Sequence, residues 1–238
     1  MIAGTSTGAI IGAALTVPKN LIKNKSSPYS AGDIVDLYMK ESKSIFMDSG
    51  LFNSFRFSSY SDTFRSECFR KYFGDLKIKD SLTDLVIPAI HDNDRMSTFK
   101  FSSVYNDRHV NSLLRIQNTS MFSYYDALMA TTAAPTYFKP HRIEEFGEFM
   151  DGGLTCNNPS EIAYHEAKSK CCLSKDTTIS VLSLGTSNFI PYHNFHEKSY
   201  LPQHVFWGKN LKDYVLPPIE GDVDERMSNL LNDKYNRW

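Results

Sequence analysis

Neither sign of charge is in excess in this chain: 26 Lys and Arg stand against 27 Asp and Glu. A balance so near zero gives no global field toward nucleic acid or an anionic membrane. No apolar run approaches the roughly 18 residues of a membrane-spanning helix. No Asp/Asn-rich loop has EF-hand spacing, so calcium dependence is not expected. Cysteine is scarce, limited to Cys68, Cys156 and the neighbours Cys171 and Cys172. Adjacent cysteines rarely bridge each other, and there is no repeated Cys-x-x-Cys for zinc. They read as reduced thiols of a cytosolic-type protein. The most ligand-like pair, His193-x-x-His196, reads as a solvated loop, so neither metal nor cofactor is expected. What remains is a globular composition, 41% apolar and 22% charged over 238 residues, enough for one domain with a sizeable core.

Against that plain background, Gly4-Thr5-Ser6-Thr7-Gly8 stands out. A Gly-x-Ser-x-Gly run sets a serine between residues too small to crowd it. A tight strand-to-helix turn can then push the hydroxyl outward. Gly8 to Val17 reads as a helix stopped by Pro18. Gly8 and Gly12, four apart, are expected to share a face that presses against a sheet. The N-terminus of this helix would sit just behind Ser6, with its dipole aimed where negative charge develops in acyl transfer. Serine alone is a poor nucleophile, so a base is needed. Asp151 follows a short strand over Phe146 to Met150 and precedes Gly152-Gly153, which leave room for a substrate. In a parallel sheet, strand ends share one edge, and Asp151 could there reach the Ser6 hydroxyl.

Other segments place the scaffold. Ser30 with Asp33 resembles a capping box opening a helix through Ile34, Leu37, Tyr38 and Ile45. Phe46, Phe52, Phe55 and Phe57 form an aromatic-rich stretch, read as covering the core and as the place to look for an acyl-chain slot. Phe64, Cys68 and Tyr72 are expected to line one helix face ending at Gly74. Residues 85–90 and 97–101 read as strands around a turn at Asp92-Asn93-Asp94. Ser123 should cap a helix from Tyr124 toward Thr131. Asn158-Pro159-Ser160-Glu161 opens another helix. Thr178 to Leu184 reads as a buried strand, and a helix is expected from Asp222 to Leu231. Strands alternating with helices indicate an α/β fold with a mostly parallel sheet between helical layers.

Four segments together resemble the patatin-like phospholipase domain and occur in that family's order. They are Gly4 to Gly8, the run Ala130-Thr131-Thr132-Ala133-Ala134-Pro135-Thr136-Tyr137-Phe138, the Asp151-Gly152-Gly153 turn leading into Asn157-Asn158-Pro159, and Val181-Leu182-Ser183-Leu184-Gly185-Thr186. The resemblance implies a three-layer α/β/α sandwich carrying a Ser–Asp dyad that hydrolyses acyl esters of lipids. Ser6 would be the nucleophile and Asp151 its base, with no catalytic histidine, no cofactor and no metal. Lipid or phospholipid would be the substrate, met by transient contact with a membrane surface. The compartment expected is cytoplasmic, or peripheral at membranes or lipid droplets.

Measured against that family, residues 1–238 read as a single domain that departs from the pattern at its start. The family's glycine-rich oxyanion loop lies upstream of the serine, whereas here only Met1-Ile2-Ala3 precede the motif. Lys234 to Trp238 resembles the entry to a further strand, so clipping at that end is expected too. Two alternatives stay open. One is a catalytically inactive remnant that binds lipid or a partner. The other is an α/β-hydrolase triad using Ser6, an aspartate and His193, His196 or His204.

Overall fold

The computed structural model describes residues 1–19, 27–45, 62–92, 96–104, 118–135, 137–170, 177–185 and 220–238, with backbone alone for 42–45. In chain order the strands are β1 (Ile2–Ala3), β2 (Leu85–Asp92), β3 (Ser97–Ser102), β4 (His141–Ile143), β5 (Gly147–Asp151), β6 (Val181–Ser183) and β7 (Tyr235–Arg237). The helices are α1 (Thr7–Ala14), α2 (Ala31–Ile45), α3 (Asp62–Phe73), α4 (Tyr124–Thr131), α5 (Gly153–Cys156), α6 (Ser160–Ser169) and α7 (220–231). The result is the expected α/β class, a central sheet flanked by helices. Strand directions in it are mixed. β1 runs parallel to β2, while β3 and β5 run antiparallel to β2 and β4 antiparallel to β5. A second, two-stranded sheet pairs β6 with β7 in parallel.

β2 is the organising strand, with seven consecutive buried residues before Asp92. One of its edges carries β3 along most of its length. The other carries two strands in tandem: β1 opposite Leu85 and Val86, then β5 opposite Ala89 to Asp92. β1 and β5 therefore approach each other head-on, and the gap between them falls over Ile87 and Pro88. A proline inside a central strand normally removes a ladder donor. Even-numbered residues of β2 face the β1/β5 edge, as the Gly4 N–H donating to the Val86 carbonyl shows. Pro88 thus lacks its N–H at the point where no strand needs one. Its carbonyl still faces the gap and accepts the Thr131 hydroxyl at 2.5 Å.

Behind the sheet, rings from several elements interlock. Phe99 and Phe101 share a face of β3 by the two-residue period. They meet edge-to-face at 4.8 Å, and Phe101 lies against Phe122 at 5.2 Å and Phe149 at 5.6 Å. Helix ends follow local chemistry. The Ser30 hydroxyl accepts the Asp33 N–H and the Asp33 carboxylate accepts the Ser30 N–H, a complete capping box. Those bonds, with Lys19 nearby, hold the Asp33 carboxyl down at about 2. The Ser123 hydroxyl caps α4 through the Asp126 N–H, and Gly74 ends α3 with φ of 56°.

Three expectations need correction. In α3 the buried face is Arg65, Cys68, Phe69 and Phe73, one position on from the expected Phe64-Cys68-Tyr72 stripe, and Phe64 is 39% exposed. Only Gly12 presses α1 against the sheet, toward Ile2 and Leu85; Gly8 faces open space. The strand expected over Thr178 to Leu184 is confined to Val181–Ser183, and Leu182 and Leu184 are 62% and 74% exposed. Its single parallel neighbour among the described residues, β7, is the strand entry anticipated near Tyr235. The 46–57 aromatics and the tip of the 92–94 turn lie outside the described residues.

Phe101→Ala should cost about 3–5 kcal/mol of stability, the usual range for emptying a fully buried aromatic position. Urea denaturation measures it, and the exposed Val35→Ala on α2 should change stability by less than about 0.5 kcal/mol.

Candidate active site

From the end of β1 the chain turns through Gly4-Thr5-Ser6 and enters α1. Ser6 adopts φ 51° and ψ −120°, a left-handed conformation that costs a non-glycine residue about 1–3 kcal/mol. Four hydrogen bonds impose it. The Ser6 N–H donates to the Thr131 Oγ1 at 3.0 Å, and the Thr5 hydroxyl donates to the Cys156 carbonyl at 2.7 Å. The Gly8 and Ala9 N–H groups close the turn on the Thr5 and Ser6 carbonyls, each at 2.9 Å. Only glycine fits at position 4, because a Cβ there would collide with the Gly8 carbonyl.

β5 delivers the second group from the opposite direction. Asp151 is its last residue, and the chain then passes so close to β2 that a Cβ on Gly152 would lie 2.5 Å from the Pro88 carbonyl. The two strand ends thereby face each other, and the Ser6 hydroxyl donates to Asp151 Oδ2 at 2.5 Å. Asp151 Oδ1 accepts the Gly153 N–H at 2.7 Å, so both carboxylate oxygens are engaged. The Asp151 N–H donates to the Ala133 carbonyl at 3.0 Å. Asp151 is 6% exposed, and burial pushes its carboxyl up to about 6; the Ser6 and Gly153 bonds and the charge of Arg65 oppose that rise. Ser6 itself is half-buried, while Thr7 and Gly8 beside it are exposed. Tyr38 of α2 reaches the same turn and donates to the Thr7 carbonyl at 2.9 Å.

The residues of the expected dyad and its two motifs lie in one place: Gly4, Thr5, Ser6, Thr7 and Gly8 on one chain end, Asp151, Gly152 and Gly153 on the other. The route differs from expectation, since β5 runs against β2 and the two strand ends meet head-on across a gap, where a parallel sheet would bring them side by side at one end. Sequence reasoning gave no role to Thr131, whose hydroxyl links the Ser6 N–H to the Pro88 carbonyl. It also missed Arg65, buried to 1% exposure, whose Nη1 donates to the Thr132 carbonyl at 2.6 Å. An arginine in phase with Phe69 and Phe73 was the available signal. Among the described residues no three His, Cys, Asp or Glu side chains gather as a metal site would. Cys68 and Cys156 are free buried thiols, each pushed up to about 12 by burial. Cys171, Cys172, His193, His196 and His204 lie outside the described residues.

A half-buried serine on a strained strand-to-helix turn is bonded directly to a buried aspartate, an arrangement chemically suited to pairing a nucleophile with a base on an α/β sheet. The sequence profile described as "Patatin-like phospholipase" matches residues 1–164, and the chain belongs to that family. It is 27% identical over 234 residues to "Patatin-like protein 2" of Arabidopsis thaliana, covering 87% of this chain and 54% of that protein. It is 31% identical over 173 residues to "Patatin-like protein 4" of the same plant, covering 67% of this chain and 39% of the relative. A shorter match, 42% over 66 residues, joins 26% of this chain to 19% of the "cGAMP-activated phospholipase" of Vibrio cholerae. The chain spans about half the length of the curated relatives it matches. No described helix is long and apolar enough to cross a membrane.

The raised carboxyl has a cost in stability with a definite sign. Between pH of about 4 and 6 the folded protein keeps a proton that the unfolded chain has lost, so stability falls as pH rises through that window. Asp151→Asn should therefore stabilise the fold by about 3 kcal/mol at pH 8, with the gain vanishing near pH 3.5. Denaturant melts of the two proteins across pH measure the difference.

Proposed function

We propose that this protein hydrolyses acyl esters of lipids through a Ser6–Asp151 dyad, by way of an acyl-enzyme. The observation that carries the reading is the direct 2.5 Å bond from the Ser6 hydroxyl to Asp151 Oδ2. Ser6 Oγ attacks the ester carbonyl carbon while its proton passes to Asp151. The tetrahedral intermediate then expels the alcohol, which takes the proton back from Asp151. Water, deprotonated by the same carboxylate, attacks the acyl-enzyme and releases the fatty acid, and Ser6 recovers its proton. A carboxyl held near 6 suits both directions of transfer at neutral pH, because neither protonation state is far out of reach. The N-terminal end of α1 sits immediately behind Ser6, where its dipole favours the developing oxyanion. Family membership supports the lipid class of substrate.

Residues 1–238 act on this reading as one domain. The Asn158 side-chain amide donates to Asp224 at 2.7 Å, and Asn157 to Glu220, which ties the segment after Asp151 to α7. A serine–histidine–aspartate triad would place an imidazole between nucleophile and carboxylate, so the direct Ser6–Asp151 bond supports the dyad reading. Among described histidines, His141 is paired with Asp126, and His91 bonds the Phe146 carbonyl. Substrate would be met at a lipid surface, by transient contact.

The test is labelling of the protein with a fluorophosphonate, with peptide mapping of the adduct. Ser6 should carry the label, and Ser6→Ala should abolish it. Asp151→Asn should slow labelling by about 10²-fold or more, the scale of losing a general base. Because the base must be ionised, the rate should fall as pH drops below about 6. A folded protein that takes no label is the outcome for a non-catalytic lipid- or partner-binding domain. Loss of labelling on replacing His193, His196 or His204 would replace the dyad with a triad.

A further inference from the structure

We propose that Arg65 is a positioning residue that holds Ser6 and Asp151 in register by clamping the 131–133 turn to which both are bonded, a role that rests on the dyad reading above. The turn at the end of α4 touches each half of the pair. Thr131 Oγ1 accepts the Ser6 N–H at 3.0 Å, and the Ala133 carbonyl accepts the Asp151 N–H at 3.0 Å. Between them stands Thr132, and Arg65 grips it twice: Nη1 donates to the Thr132 carbonyl at 2.6 Å and to its hydroxyl at 3.1 Å. The same hydroxyl donates to the Leu128 carbonyl at 2.6 Å, which fastens the turn back to α4. Nη2 donates to Asp62 at 2.8 Å, and the guanidinium lies over the Phe138 ring at 4.1 Å. A planar fork held at two nitrogens and one face has almost no freedom to rotate. The two dyad residues are thus joined through one turn, and α3 fixes that turn from behind.

The arginine is poorly justified as mere core. It is 1% exposed, and its Nε has no hydrogen-bond partner among the described residues. A buried unmet donor is destabilising, and an apolar side chain of similar volume commonly serves a core at least as well as a buried charge. What an apolar residue cannot do is hold the Thr132 carbonyl. The groups acting on the Arg65 charge are Asp62, Asp151 and Tyr125; those acting on Asp151 are Ser6, the Gly153 N–H and Arg65 itself. Arg65 therefore also favours the ionised form of the base, against its burial.

The test compares the rate of fluorophosphonate labelling at Ser6 across pH in the whole chain and in R65K, R65M and D151N, expressed per folded molecule. Lysine keeps the charge and loses the fork, so R65K should leave the acid limb near pH 6 while its plateau rate falls about 10-fold, within the range expected of a misplaced reacting group. R65M should lose more, about 10²-fold, and its acid limb should move to higher pH. A merely structural role would lower the melting temperature of both variants without moving the plateau or the limb, and that result overturns the proposal. Should R65M fail to fold, the R65K plateau decides: a wild-type value overturns the proposal, a reduced one upholds it. Wild-type protein that is unlabelled at Ser6, or D151N labelled as fast as wild type, removes the dyad and this role with it. Asp151-dependent labelling that is indifferent to both Arg65 variants removes this role alone.

Discussion

Two strands that run toward each other along one edge of a third cannot both continue, and the place where they stop is where Ser6 and Asp151 meet. β1 and β5 dock in tandem on β2 and end over Ile87 and Pro88. A break inside a sheet leaves backbone groups to satisfy. The missing N–H of Pro88 removes one of them, and the Thr131 hydroxyl satisfies the Pro88 carbonyl. Each departing chain must turn at once, within a space that admits no side chain. That explains glycine at positions 4 and 152, and it leaves Ser6, two residues past Gly4, facing Asp151, the residue before Gly152. The Ser6–Asp151 contact is in this sense a consequence of strand placement, with the partners 145 positions apart in sequence.

Holding that arrangement is costly in two ways, and the surroundings offset each. The left-handed turn at Ser6 is over-determined by bonds from Thr131, Cys156 and the first turn of α1. The buried carboxylate of Asp151 receives a hydroxyl, an amide and the field of Arg65, yet burial still prevails and its carboxyl stays near 6. A fully compensated aspartate would be a weak base. An uncompensated one would stay protonated at neutral pH. The balance lies between, at the price of some stability, which is the state the proposed base requires.

Much of this was legible in the sequence, for identifiable reasons. Short-range signals carried well: the Ser30/Asp33 capping box, the Ser123 cap, the Gly74 stop and the antiparallel pair around residues 92–94 all depend on neighbours in the chain. Within the Gly-x-Ser-x-Gly run and the Asp-Gly-Gly turn, Gly4 and Gly152 were visible because steric demand fixes residue type there. What sequence could not show was direction. Nothing in Gly147 to Asp151 reveals that it runs against β2, because strand polarity is decided by partners far away in the chain. Periodicity also failed in α3 by one position, where an arginine occupies the core face and Phe64 turns outward; apolar counting reads that pattern one residue out of phase. Thr178 to Leu184 looks like a buried strand from composition, yet Leu182 and Leu184 are exposed beside β7. Thr131 escaped because it links two backbone groups, and Arg65 because the carbonyl it holds is backbone too, which carries no residue-type signature.

The central claim is that two opposed strand ends present one nucleophile directly to one carboxylate. A crystal structure of the fluorophosphonate-treated protein tests it most directly. Phosphorus bonded to Ser6 Oγ, with Asp151 still within hydrogen-bond reach of that oxygen and no imidazole between them, is the expected result. Phosphorus on another serine, or a histidine side chain standing between Ser6 and Asp151, would contradict it.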